Sequence, residues 1–144
     1  MNPQEFGLWG AYIRAEYWIG LPDDRLLLRV GERAEGIARM APEAALHFGP
    51  HSTWAYITAW NPGSEIQMEF VNRKKQEELE LYLRGAGYAV LPGISRDPTG
   101  EWPEEEGIFI YGLGWERALL LGRKYNQNAI LEGLGEETVQ LLRC

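Results

Sequence analysis

The chain of 144 residues has the length of one domain, and its 45% apolar content with six Trp, seven Tyr and four Phe excludes intrinsic disorder. The formal net charge of −7 disfavours non-specific binding to nucleic acid or to an anionic membrane, because phosphate surfaces would repel the chain. No window approaches the roughly 18 apolar residues that span a bilayer, and the first twenty residues lack a signal-peptide pattern. We therefore expect one soluble, cytoplasmic domain over residues 1–144.

The first part of the chain predicts a β-hairpin followed by a helix. Aromatic and β-branched residues at 12–21 predict a strand, residues 22–24 (Pro-Asp-Asp) a turn, and residues 25–30 a returning strand. Apolar residues at helical spacing over 32–48 predict a helix that Pro42 must kink or divide.

From Trp54 onward, segments with strand patterns alternate with segments with helical patterns. Strands are predicted at 54–60, 88–94, 108–113, 129–131 and 138–142, and helices at 69–84 and 115–126. This β-α-β-β-α-β order is that of the split-βαβ or ferredoxin-like fold, in which right-handed crossovers place both helices on one face of an antiparallel sheet. We predict an α+β domain with such a core from about residue 54, extended by the N-terminal hairpin and helix.

Two asparagines mark the end of a predicted strand and the start of the next helix. The segment T-A-W-N-P at 58–62 ends the strand that we predict to be central, and the proline after Asn61 leaves that amide free to point away. Asn61 is a candidate ligand-binding amide, and capping of a turn is the alternative. Asn72 lies in a helical first turn, where free N–H groups attract anions, and a solvated basic turn is its alternative.

The acidic loop at 97–106 offers a candidate for catalysis. A carboxylate at the mouth of the following strand could act as a general base or bind a metal, whereas most of such a run is ordinarily a solvated edge. By proximity to the strand we choose Glu106 as the candidate catalytic residue, and then Glu105. Trp102 in the same loop is available to stack on a ligand.

The segment Y-N-Q-N-A at 125–129 is the most unusual local feature, because three consecutive amides would be costly to bury without partners. An asparagine in a left-handed position at the helix end explains one of them. Gln127 and Asn128 are therefore candidate ligand-binding residues, with a structural role as the alternative.

No cofactor or metal site is indicated. The one cysteine, Cys144, is terminal, so an internal disulfide and a site built on cysteine pairs are excluded. His47 and His51 have the spacing of a helical zinc pair, but the intervening Gly-Pro breaks the helix. No nucleophile elbow, P-loop or dinucleotide-binding fingerprint is present. The eleven arginines against three lysines favour a GC-rich genome or a hot habitat, and hence a thermostable protein.

Taken in order, the motifs of this chain resemble an uncharacterised family of small bacterial proteins, a domain of unknown function. The motifs are T-A-W-N-P at 58–62, Asn72, G-Y at 87–88, D-P-T-G-E-W-P-E-E-E at 97–106 and Q-N-A at 127–129. That family is marked by a T-A-x-N-P segment and a terminal x-Q-N-A segment, and the resemblance covers about residues 54–131. It implies a compact α+β domain and supplies no established activity, cofactor or substrate.

On matching positions the resemblance points to a defined set of residues. These are Thr58, Asn61, Pro62, Asn72, Glu106, Gln127 and Asn128. The chain departs from the pattern at Ile66, Met68 and Phe70, which are more apolar than the family leads us to expect.

Two function hypotheses follow. The first is a pocket that binds, and could act on, a small polar or phosphate-bearing metabolite such as a nucleotide, since amides offer donor and acceptor together. The alternative is a non-catalytic interaction module that forms a homodimer, because six Trp exceed what a small core readily hides. The split-βαβ order predicts that Asn61, Asn72, Glu106 and Gln127 meet at one edge of the sheet.

Overall fold

A computed structural model of the chain describes the backbone of residues 3–144 and the side chains of residues 7–144. Over these residues one seven-stranded antiparallel sheet is accompanied by three α-helices. The strands are β1 (Glu16–Leu21), β2 (Asp24–Leu28), β3 (Thr53–Ile57), β4 (Ala89–Arg96), β5 (Glu105–Tyr111), β6 (Ala129–Leu134) and β7 (Gln140–Arg143). The helices are α1 (Pro3–Arg14), α2 (Glu69–Gly85) and α3 (Trp115–Lys124). The predicted α+β class is confirmed.

The strand order across the sheet is β2-β1-β4-β5-β3-β6-β7, and every neighbouring pair is antiparallel. The register places Tyr56 of β3 opposite Phe109 of β5 and Leu131 of β6. The predicted antiparallel pairing of the strand before Asn61 with the strand after Gly107 is therefore confirmed. No described helix is long and apolar enough to cross a bilayer.

Side chains alternate between the two faces of the sheet, as the pleat requires. On β3, Ala55 and Ile57 belong to a core formed with α2 and α3, and Trp54 and Tyr56 belong to a second core on the opposite face. We call these the α2–α3 face and the α1 face. Residues of both α2 and α3 pack in the first core, which places the two helices on the same face.

A pair of glycines makes room for the Tyr56 ring on the α1 face. Gly93 of β4 and Gly107 of β5 are register partners, and a Cβ atom at either position would overlap the ring of Tyr56. The ring therefore lies across both strands, close to the backbone of β5. Its edge-to-face neighbour is Tyr17 of β1, with ring centroids 5.4 Å apart.

The N-terminal elements differ from the prediction in two places. The hairpin is present as β1 and β2, but the helix predicted over 32–48 is wrong, since this segment forms turns and one 3-10 turn at Glu43–Ala45. Gly36 within the segment has a φ of 87°, which a continuous α-helix does not accommodate. The apolar spacing arises because these turns bury residues such as Ile37 in the α1-face core.

The helix that precedes the hairpin, α1, was not predicted. Leu8, Ala11, Tyr12 and Ala15 have the i, i+3, i+4, i+7 spacing of a helical face, and Ala11 and Ala15 are buried. The predicted strand began at residue 12, because the aromatic and β-branched composition of β1 extends back into α1. The strand itself begins at Glu16.

Candidate functional site

The T-A-W-N-P turn after β3 is held by a reciprocal pair of asparagines. The side-chain oxygen of Asn72 accepts from the backbone N–H of Asn61 at 2.8 Å, and the Asn72 amide donates to the Asn61 side-chain oxygen at 2.7 Å. Both side chains are buried, and Asn61 adopts a left-handed conformation with φ of 44°. The same Asn61 oxygen accepts from the N–H of Gln67 at 2.9 Å. Asn72 thus holds the shape of the turn.

The side chains of Thr58 and Gln76 also bind the backbone of this turn. The Thr58 hydroxyl donates to the carbonyl of Glu106 and accepts from the N–H of Trp60. Gln76 of α2 is buried, and its side-chain oxygen accepts from the N–H of Ala59 at 2.9 Å. Sequence reasoning missed Gln76, although a glutamine four residues after Asn72 lies on the same helical face, which was the available signal.

Gln127 and Asn128 return to this end of β3 from the end of α3. The Gln127 amide donates to the carbonyl of Trp60 at 3.3 Å, and the Asn128 amide donates to the Ser64 hydroxyl at 2.9 Å. Asn126 takes the left-handed position with φ of 53°. Gln127 therefore lies at the same edge of the sheet as Asn61, as predicted from the strand order.

Glu106 and Glu105 follow one another on β5 and face opposite ways. Glu106 lies on the α2–α3 face, with a carboxylate oxygen 3.1 Å from a guanidinium nitrogen of Arg73. Glu105 lies on the α1 face, where it lines a cavity. The choice of Glu106 over Glu105 from the sequence therefore selected the carboxylate that forms a surface ion pair.

The cavity lies between α1 and the sheet and has a volume of about 80 Å³. It is several times larger than the roughly 10–15 Å³ that a single water requires. Its wall includes Leu8, Ala11, Tyr12, Tyr17, Tyr56, Thr58, Asn61, Ser64, Ser95, Asp97, Trp102, Glu105, Gln127 and Leu141. Of the candidates named from the sequence, Thr58, Asn61, Trp102, Gln127 and the second-choice carboxylate Glu105 line it, and Asn72, Glu106 and Asn128 do not.

Three tyrosines, Tyr12, Tyr17 and Tyr56, line the cavity together with Glu105. Burial raises the pKa of the hydroxyls of Tyr12, Tyr17 and Tyr56, and the charge of Glu105 adds to each of these shifts. The Tyr17 hydroxyl donates to the carbonyl of Tyr12 at 2.9 Å, and the hydroxyls of Tyr12 and Ser64 share a hydrogen bond of 3.1 Å.

The Tyr56 hydroxyl differs from these, because it is buried and has no hydrogen-bond partner among the residues that the structure describes. Among the described residues, two other buried side-chain atoms have no hydrogen-bond partner: the amide nitrogen of Gln76 and one carboxylate oxygen of Glu106. The Glu106 oxygen is nevertheless 3.1 Å from Arg73, which compensates its charge. Of the three, only the Tyr56 hydroxyl belongs to a residue that lines the cavity.

Burial raises the pKa of Glu105 from 4.5 to about 7, and a hydrogen bond from Asn61 opposes this shift. At neutral pH this carboxyl group therefore exists in both protonation states and can donate or accept a hydrogen bond. A carboxyl group of this kind beside phenol hydroxyls can bind a cation, or exchange a proton with a bound molecule.

The acidic loop closes one side of the cavity through Asp97. Its carboxylate accepts from the N–H groups of Thr99 at 3.0 Å and Trp102 at 3.1 Å, and from the Arg14 guanidinium of α1 at 3.2 Å. Burial opposes ionisation of Asp97, but these hydrogen bonds outweigh it and hold the pKa well below its usual range. Asp97 therefore fixes both Trp102 at the cavity and the end of α1 above it.

The one cation on the described part of the cavity wall is Arg96, which lies 3.7 Å from the carboxylate of Glu16. Within the part of the chain that the structure describes, no three His, Cys, Asp or Glu side chains group closely enough to hold a metal ion. The cavity thus combines an aromatic wall with hydroxyl, amide and carboxyl groups.

Comparison with known proteins yields one match. A family model described as "Protein of unknown function (DUF3293)" matches residues 57–130, which is half of the chain. This segment runs from the end of β3 to the start of β6 and includes Asn61, Tyr88, Glu105 and Gln127. No curated protein and no solved structure matches the chain significantly.

Proposed function

This chain belongs to the DUF3293 family of proteins of unknown function, and we propose that it binds a compact polar small molecule, or the polar head group of a larger one, in the cavity beneath α1. The cavity volume of about 80 Å³ suits a group of a few heavy atoms, with the remainder of a larger ligand extending past Trp102. The mixed wall of rings, amides and hydroxyls is typical of such sites.

The observation that carries this proposal is the Tyr56 hydroxyl. A buried hydroxyl without a partner lowers the stability of the fold by roughly 1–3 kcal/mol. The chain nevertheless has a tyrosine at position 56, beside the cavity, where a phenylalanine would avoid this cost. Two glycines are also needed to accommodate the ring that carries it. A ligand that hydrogen-bonds to this hydroxyl would recover the cost.

The charges of the wall favour a polar ligand over a phosphate-bearing one. Phosphate groups are bound by free arginines, lysines or helix N-termini. Here Arg96 is paired with Glu16, Arg14 with Asp97, and Glu105 adds a partial negative charge. Of the two ligand classes inferred from the sequence, we therefore retain the small polar molecule.

A screen of small polar fragments by protein-observed NMR tests the proposal with a matched pair of variants. Tyr56→Phe removes a hydroxyl that has no partner, so we expect unchanged or slightly higher stability and at least tenfold weaker fragment binding. Tyr111→Phe removes a hydroxyl that donates to the Ile37 carbonyl at 2.9 Å on the same face. This control should lose about 1 kcal/mol of stability and keep binding. Equal binding by both variants, or no fragment at all, would contradict the proposal.

An exposed apolar segment supports a second candidate function, a homodimeric interaction module. Ile66, Met68 and Phe70 precede and begin α2 with side chains 77%, 68% and 66% exposed. Apolar residues grouped on a surface are typical of interfaces. Light scattering at high micromolar concentration tests it: a dimer that Met68→Glu dissociates would support the interface, and a strict monomer would exclude it.

We also propose that β3, α2, β4, β5, α3 and β6 form a ferredoxin-like, split-βαβ unit. The strand order β4-β5-β3-β6 and the packing of both helices in one core support this assignment. It requires right-handed crossovers through α2 and α3. An experimental structure with a left-handed crossover would contradict it.

A further inference from the structure

Building on the proposed function, we infer that the group bound in the cavity is a compact organic cation, a protonated amine or amidine, held by the Glu105 carboxylate among the rings of Tyr12, Tyr17 and Tyr56. The inference names a ligand class for the site and depends on the cavity being a binding site at all. It stands on three features of the wall: its charge, its rings and its unsatisfied acceptor capacity.

The first feature is charge. The titratable and charged groups that line the cavity with Glu105 come from each element around it, namely Tyr12 of α1, Tyr17 of β1, Tyr56 of β3, Arg96 of β4 and Asp97 of the acidic loop. Asp97 accepts hydrogen bonds from Arg14 and from the loop backbone, and Arg96 forms an ion pair with Glu16 at 3.7 Å. Among the residues whose side chains the structure describes, Glu105 is therefore the group of the wall whose ionised form has no cation within salt-bridge distance.

The second feature is the set of aromatic side chains that line the cavity. Aromatic ring faces attract cations, most strongly where water is excluded. Tyr17 and Tyr56 meet edge to face at 5.4 Å and 73°, and Trp102 stands at the side of the cavity closed by Asp97. A carboxylate surrounded by several rings resembles the chemistry by which proteins recognise ammonium groups.

The third feature is hydrogen bonding. An ammonium or amidinium group has several N–H donors and needs acceptors that point at it from different sides. The Glu105 carboxylate and the oxygen of the unpaired Tyr56 hydroxyl provide acceptors on neighbouring strands, β5 and β3. An anion would instead meet the charge of Glu105, and a neutral molecule would leave that charge uncompensated.

Binding of a cation is linked to the protonation of Glu105. The pKa of this group is about 7, so the carboxyl group is mostly protonated at pH 6 and mostly ionised at pH 8. Only the ionised form attracts a cation, and binding therefore displaces a proton from the carboxyl group to solvent at neutral pH. Affinity for a cation should rise about tenfold from pH 6 to pH 8, in proportion to the ionised fraction.

Three probes of one shape separate the outcomes: butylamine, butanol and butyrate, each titrated into the full chain at pH 6 and pH 8 and followed by NMR. We expect butylamine to bind about tenfold more tightly at pH 8, butanol to bind weakly and independently of pH, and butyrate not to bind at pH 8. Glu105→Gln should abolish the pH dependence for butylamine and leave butanol unchanged. Glu106→Gln, on the opposite face, should behave as the unmodified chain.

The outcomes also separate this inference from the proposed function. Butanol binding as tightly as butylamine at pH 8, or a butylamine affinity that Glu105→Gln does not change, would overturn the cation inference while leaving a binding cavity. Failure of all three probes would overturn it as well. The proposed function is judged independently by the fragment screen with Tyr56→Phe and Tyr111→Phe.

Discussion

Glu105 and Glu106 are neighbours on β5 whose carboxyl groups lie on opposite faces of one sheet. The first lines the cavity under α1 and has a pKa near 7, and the second pairs with Arg73 of α2 at 3.1 Å. The pair is a natural matched control, because the same Glu→Gln change can be made in two environments one residue apart.

The pH dependence of stability should change in Glu105→Gln. The folded pKa of about 7 lies above the unfolded value of 4.5, so the folded state holds the proton more tightly between these values. The contribution of this group to the free energy of unfolding is fully present below about pH 4.5 and is lost as the pH rises through about 7. The variant should therefore gain roughly 1–3 kcal/mol relative to the unmodified chain between pH 5 and pH 8.

Urea unfolding at pH 5 and pH 8 measures this difference. Glu106→Gln should shift stability by less than about 1 kcal/mol, because it removes a partly exposed ion pair. If the two variants show the same pH dependence, the assignment of the raised pKa to Glu105 is wrong.

Removal of the Asn72 side chain should be strongly destabilising. Asn72→Ala leaves the buried N–H of Asn61 without its 2.8 Å acceptor and removes one of the two donors to the Asn61 side-chain oxygen, which should cost about 2–4 kcal/mol. Lys74→Ala, on an exposed position of the same helix, should cost less than about 0.5 kcal/mol. Chemical denaturation of the two variants provides the comparison, and similar values would refute a structural role for Asn72.

A methyl group at Gly107 should disturb Tyr56. Its Cβ would overlap the Tyr56 ring, so Gly107→Ala should cost about 1–3 kcal/mol through overpacking. Gly85→Ala adds the same atom in open space at the end of α2 and should leave stability unchanged or raise it by up to about 1 kcal/mol. In the double variant Gly107→Ala, Tyr56→Leu the penalty should shrink, and thermal unfolding that shows no such recovery would argue against the contact.

The attachment of α1 should depend on Arg14 and Asp97. Arg14→Ala removes the hydrogen bond from α1 to Asp97 and should increase amide hydrogen exchange in α1 alone. Asp97→Ala also removes the bonds to Thr99 and Trp102, so exchange should rise in both α1 and the acidic loop. Hydrogen-exchange mass spectrometry resolves the two segments, and an Arg14→Ala variant with unchanged α1 protection would contradict this.

Local patterns predicted the elements that have a strong period. The helix predicted at 69–84 corresponds to α2 (Glu69–Gly85), and the apolar strand predicted at 108–113 overlaps β5 (Glu105–Tyr111) at residues 108–111. Residues 32–48 misled the same reasoning, because turns that bury alanines and an isoleucine at irregular positions can imitate a helical period. Gly36 within this segment would have been the better guide, because glycine weakens a helix interior and is the residue that most readily takes the positive φ found there.

The candidate site was partly accessible from the sequence. Asn61 and Gln127 could be placed at one edge because the strand order follows from chain topology. Tyr56 could not be selected, since a tyrosine in an apolar strand reads as core. Its importance depends on Gly93 and Gly107, which lie on two other strands and become its neighbours only when the sheet forms.

The sequence by itself determined the α+β class and the antiparallel meeting of β3 and β5, because these follow from local period and connectivity. Glu105 and Glu106 were predicted to lie in a loop, and their separation onto opposite faces follows from the earlier start of β5 at Glu105. Only the tertiary structure decided which of the two carboxyl groups faces a cavity. That outcome depends on α1, whose Leu8, Ala11 and Tyr12 line the cavity together with Tyr56, whereas α2 and α3 cover the other face. Desolvation raises the pKa of Glu105, and it arises from contacts between residues far apart in the chain.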